Sequence, residues 1–102
     1  MLRQGSPDSM KAFVSLAAAA TTSNTIDTKT KELMALAIGI AIHCGGCITY
    51  HTKMAHQHGA TKREILETVA LAVLHGGGPA AVYCADTVRA YDQFSGQPEI
   101  QR

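Results

Sequence analysis

At 102 residues, with 9 Lys and Arg against 8 Asp and Glu, the chain reads as one small domain without the field that holds a phosphate backbone or an anionic membrane. That excludes two-domain cofactor enzymes and argues against nucleic acid or a membrane as a partner. The apolar content comes from sixteen alanines, with five Phe and Tyr and no Trp, so the core is thin and further apolar surface is expected to be buried between copies of the chain.

Helix signals run through the whole sequence and no stretch alternates β-branched residues, so the expected fold is all-α, a single domain over residues 1–102. Ser6 as N-cap and Pro7 at the first helical position open a first helix that reaches about Ala20. Its Met10, Phe13, Val14, Ala17 and Ala20 share one face. The apolar run 13–20 behind Lys11 imitates an export signal, but Pro7, Asp8 and Ser15 dilute it. The amphipathic helix is the better reading, and the expected location is cytoplasmic.

Asp27 caps a second helix that turns Lys29 and Lys31 outward, carries Glu32 in its first turn, and is wholly apolar from Leu33 to Ile42. Ten apolar residues are about half of the ~20 that span a bilayer. The segment therefore reads as a buried central helix, ended near His43 by Gly45 and Gly46. A third helix starts at the cysteines and stops at His58, ahead of Gly59 as a left-handed terminator. Thr61 and Glu64 form a capping box for a fourth helix, with Ile65, Leu66, Val69, Ala72 and Val73 on its apolar face. Gly76 to Gly78 end it. Pro79 opens a fifth helix that carries Val82, Tyr83, Asp86 and Arg89 and frays after Phe94.

The chemistry concentrates around Cys44, Cys47 and His51. Three cysteines cannot all pair within one chain, and they do not make the dense framework of a small secreted domain. Cys44 and Cys47 stand one helical turn apart, with Cα atoms about 5 Å from each other, a separation a disulfide tolerates. Both lie at a helix N-terminus, where unpaired N–H groups and the helix dipole favour a thiolate. His51, four residues after Cys47, shares its helical face and can take or relay the thiol proton. Glu32 stands ahead of a buried run and either orients His51 or complements the helix dipole; spacing alone does not choose.

The same residues permit a metal- or ligand-binding reading, in which Cys44, Cys47 and His51 are completed by His43, His56 or His58. No second Cys-x-x-Cys or His-x-x-x-His supplies the other half of such a site, so the redox reading ranks first and neither a cofactor nor a metal is expected. His56, His58 and His75 read as structural or exposed histidines. Cys84, in the middle of the fifth helix, reads as a buried packing residue. The three glycines 76–78 have no preceding strand and no following Lys-Ser/Thr, so they are not a phosphate loop.

The pattern Lys-x-Lys-Glu-Leu (29–33), an apolar helix, Cys-x-x-Cys-x-x-x-His (44–51), Gly-Ala-Thr-x-x-Glu (59–64) and Gly-Gly-Gly-Pro-Ala (76–80) resembles the carboxymuconolactone decarboxylase family, in its AhpD-like alkylhydroperoxidase branch. The likeness runs from about Phe13 to Tyr91. It implies an AhpD-like fold of about five to six helices assembled as trimers or hexamers. It also implies roles: Cys47 as the peroxide-attacking thiolate, Cys44 as the resolving thiol, and Glu32 with His51 as the proton relay. The implied partners are a small hydroperoxide and a dithiol reductant or peroxiredoxin. The sequence departs from the branch at Gly46, where well-studied members carry histidine; here the nearest additional histidine is His43. The decarboxylases of the family lack the cysteine pair, so a lactone enzyme is the remaining alternative.

Overall fold

A computed structural model of the chain describes residues 2–96; the polar tail expected to fray after Phe94 lies largely outside them. These residues form α1 (Leu2–Gly5), α2 (Pro7–Thr21), α3 (Thr28–Ala41), α4 (Gly45–Gln57), α5 (Lys62–Ala81) and α6 (Cys84–Ser95), with no strand among them. The all-α expectation holds.

The helices begin where local chemistry says they should. Pro7 enters α2 after Ser6, although the Ser6 hydroxyl donates to Ser9 rather than capping the helix. Asp27 accepts from the Thr30 N–H at 2.8 Å, and these hydrogen bonds hold its carboxyl below the usual range. At α5 the capping box closes on both sides, Glu64 N–H to the Thr61 hydroxyl at 3.1 Å and Thr61 N–H to the Glu64 carboxylate at 2.9 Å. The same carboxylate pairs with Lys29 at 2.9 Å, which ties the start of α5 to α3 and pulls the Glu64 carboxyl down.

Helix α3 is the central element, packed on both α4 and α5, while α6 closes on α4. Leu36 and Ile40 of α3, Ile48 and Ala55 of α4, and Ile65, Val69 and Ala72 of α5 form the core with Ala80 and Tyr91. The Tyr91 hydroxyl donates to the Ala60 carbonyl at 3.2 Å, so the one buried tyrosine in this core keeps its polar tip satisfied. Lys62 and Asp92, both largely buried, meet at 2.7 Å in an ion contact that joins the start of α5 to α6. Removing one partner strands the other charge in the protein. Asp92→Asn is expected to lower unfolding stability by about 3 kcal/mol, the lower end of the range for broken buried pairs, measurable by urea denaturation.

The apolar face of α2 is not packed within the chain: the helix has no buried residue, and Phe13, Val14 and Leu16 are more than half exposed. Three expectations are corrected. On α5, Leu66 is 41% exposed and lies off the buried face. The fourth expected helix does stop at the glycines, where Gly77 adopts φ 72, ψ −161, a region open to glycine, but the fifth is broken after its first turn. The chain turns once more from Pro79 to Ala81, and α6 begins at Cys84. Cys84 is consequently the first residue of a helix, half-buried against the core, rather than a buried mid-helix residue.

Candidate active site

The site is built where α3 stops and α4 starts. At the end of α3 the Cys44 N–H donates to the Gly39 carbonyl at 2.8 Å and the His43 N–H to the Ile40 carbonyl at 3.1 Å. This pair of bonds is a Schellman motif, which satisfies the last helical carbonyls and reverses the chain. Its left-handed position is His43, at φ 64, the only non-glycine residue with positive φ among the described residues. The reversal delivers Cys44 to the N-cap of α4, where its sulfur accepts from the Cys47 N–H at 3.3 Å.

Cys44 and Cys47 are joined by a disulfide with Cα atoms 5.2 Å apart, the separation expected from one helical turn. Both cysteines are partly accessible. Cys47 sits against α3 because Gly39 has no side chain: a Cβ built there would lie 3.0 Å from the Cys47 Cβ and 3.7 Å from the Ile48 nitrogen. Spacing in the sequence did not single out Gly39, although one glycine inside an otherwise apolar helix is the mark of a close backbone approach. Gly39→Ala forces the two helices apart and is expected to cost about 1–3 kcal/mol, read as a lowered melting temperature with slower closure of the disulfide.

Glu32 and His51, brought together from α3 and α4, complete the constellation. The Glu32 carboxylate lies 2.6 Å from His51 Nδ1. Glu32 is 1% exposed, while the His51 ring is half-buried and meets the edge of Tyr50 at 5.1 Å between centroids. Glu32 stands in the second turn of α3, not the first as expected from sequence, which removes it from the reach of the helix dipole. Its partner is His51. A carboxylate in this position accepts from Nδ1–H and leaves Nε2 to take or give a proton.

His43, the additional histidine, is exposed and stacks on Tyr83 with centroids 5.4 Å apart and 16° between planes. His56 packs edge-on against Tyr91, while His58 and His75 are exposed. Beside Gly45, between α4 and α6, a cavity of about 340 Å³ is lined by Thr49, Ile48, Arg89 and Gln93 among others. Among the described residues no group of three or more His, Cys, Asp or Glu is arranged to hold a metal ion. No single helix among them is long and apolar enough to cross a membrane.

Comparison with known proteins gives a consistent picture. The model of the carboxymuconolactone decarboxylase family matches residues 7–90. An uncharacterized protein of Cupriavidus necator is 34% identical over 94 residues, which cover 92% of this chain and 83% of that protein. The crystal structure of an apo carboxymuconolactone decarboxylase family protein from Legionella pneumophila superimposes with a TM-score of 0.86 at 44% identity, covering 92% of this chain and 84% of that one. A family member from Thermotoga maritima, with a suggested part in an antioxidative response, superimposes with a TM-score of 0.81 at 31% identity over 86% of this chain and 91% of its own.

Proposed function

The chain belongs to the carboxymuconolactone decarboxylase family, and from that premise we propose that it is a thiol-dependent peroxidase that reduces hydroperoxides through Cys44 and Cys47. The observation that carries this reading is the Glu32–His51 pair, 2.6 Å apart, on the residue four positions beyond Cys47 in the same helix. A proton relay held next to a cysteine pair is what peroxide reduction requires. The suggested antioxidative part of the Thermotoga maritima relative points the same way.

In the dithiol form His51 takes the proton of Cys47, and the Cys47 thiolate attacks the distal peroxide oxygen. The O–O bond breaks, the leaving alkoxide takes the proton back through His51, and Cys47 becomes a sulfenic acid. Cys44 then attacks the Cys47 sulfur, water leaves, and the disulfide forms. One hydroperoxide and two thiols give one alcohol, one water and one disulfide. A cytoplasmic dithiol partner returns the pair to thiols. The same exchange chemistry would let the protein act as the disulfide reductase of a peroxiredoxin.

The working unit in this reading is a homo-oligomer, a trimer or hexamer, supported by the apolar faces left uncovered on α2 and on α3 with its C-cap, where Met34, Ile38 and Ile42 are 50–65% exposed at four-residue spacing. Sedimentation of a species near the mass of one chain would contradict it.

The deciding experiment is the intact mass of fully reduced protein before and after one equivalent of an organic hydroperoxide, with peptide mapping. Loss of two hydrogens confined to the peptide holding Cys44 and Cys47 is the expected result. Thiols that stay free would remove the peroxidase reading.

A further inference from the structure

We propose that His43 is a positioning residue for the redox pair, clamped on Tyr83 so that Cys44 stays opposite Cys47 when the disulfide is open. The proposal rests on the reading of Cys44 and Cys47 as a working redox pair, and not on hydroperoxide being its oxidant.

The left-handed conformation of His43 is the starting point. Glycine adopts that conformation freely and a side chain does so at a cost. The other described residues with positive φ are Gly59, Gly77 and Gly96, and the two residues after Cys44 are also glycines. A histidine kept in such a place has a use for its ring. That use is visible in the stack on Tyr83, 5.4 Å between centroids and 16° from parallel. Tyr83 is the N-cap of α6 and packs against the hydrophobic core, so the stack fastens the turn between α3 and α4 to the body of the protein.

The position of Cys44 depends on that turn. Its N–H is held by the Gly39 carbonyl and its sulfur accepts from the Cys47 N–H, while the residue before it is held by Tyr83. In the oxidised protein the disulfide makes the last of these restraints redundant. In the dithiol form no S–S bond links the two side chains, and Gly45 and Gly46 between them add no side-chain contact. The His43–Tyr83 stack then supplies the missing restraint and raises the effective concentration of one thiol at the other. Closing the pair releases two protons and two electrons to an oxidant; glutathione disulfide accepts them and becomes two glutathione thiols. A clamp that favours closure therefore makes the disulfide harder to reduce.

The test uses the full chain with His43→Gly, His43→Asn and Tyr83→Leu, equilibrated in glutathione buffers, with the Cys44–Cys47 dithiol fraction read by alkylation and peptide mass. Asparagine tolerates the left-handed conformation without a stacking ring, so it separates loss of the ring from added backbone freedom. All three variants are expected to be more easily reduced by about tenfold in the exchange constant, or about 30 mV. His43→Gly should melt no lower than wild type, since it relieves the strained position. A change below about twofold in His43→Gly and Tyr83→Leu overturns the proposal, as does a shift seen with glycine alone. The peroxide reading fails separately: wild-type thiols that ignore hydroperoxide while the three variants still shift would leave the clamp standing.

Discussion

Replacing Cys47 with serine is expected to reduce hydroperoxide consumption by about three orders of magnitude, to the background of the remaining thiols. A serine hydroxyl is not ionised near neutral pH, and the Glu32–His51 pair cannot make it a nucleophile comparable to a thiolate. Cys44→Ser has a different signature. It still reacts once, because attack on the peroxide needs only Cys47, but it stops at a sulfenic acid that a 1,3-diketone traps on the Cys47 peptide. Cys84→Ser serves as the control and should leave turnover intact, since Cys84 lies half-buried at the start of α6. A single reaction that survives Cys47→Ser but not Cys44→Ser, with the sulfenic acid trapped on the Cys44 peptide, would reverse the two roles; turnover that survives both would end the thiol mechanism.

The helix starts and the site differ in how far the sequence exposes them. Ser6-Pro7, Asp27, and Thr61 with Glu64 are local signals, settled within three or four residues, and the helices begin at each of them. The cysteine separation was legible for the same reason, because one helical turn fixes it. Contacts between helices were not. Glu32 and His51 stand nineteen residues apart, and spacing left Glu32 divided between a dipole role and a relay role until the packing of α3 on α4 set it against Nδ1. Gly39 and Tyr83 escaped for the same reason: each matters through what another helix brings to it. The apolar face of α2 was legible as a pattern, but its burial was not, because amphipathicity says that a face needs cover without saying whether the same chain provides it. The break before α6 is hidden by Pro79, a strong start signal that here opens only one further turn before Val82 and Tyr83 redirect the chain.

Glu32→Gln is expected to slow the reaction with an alkyl hydroperoxide by about 10²–10³-fold, the lower part of the range of a general acid–base group. The amide keeps the size of the carboxylate, so the packing of α3 on α4 is disturbed little, but it offers the imidazole no negative charge. Two consequences separate a relay from a structural role. Leaving-group dependence is the first. An alkyl hydroperoxide expels an alkoxide, which must be protonated as the O–O bond breaks, whereas peracetic acid expels acetate, which needs no proton. If Glu32 acts through His51 as proton donor, the variant loses far more of its rate with the alkyl hydroperoxide than with peracetic acid. The second is stability. A carboxylate 1% exposed and 2.6 Å from an imidazole also contributes to folding, and the variant is expected to unfold at lower urea concentration. A purely structural Glu32 would lower stability while the rate ratio between the two peroxides stayed at its wild-type value, and that result would take the proton relay out of the mechanism.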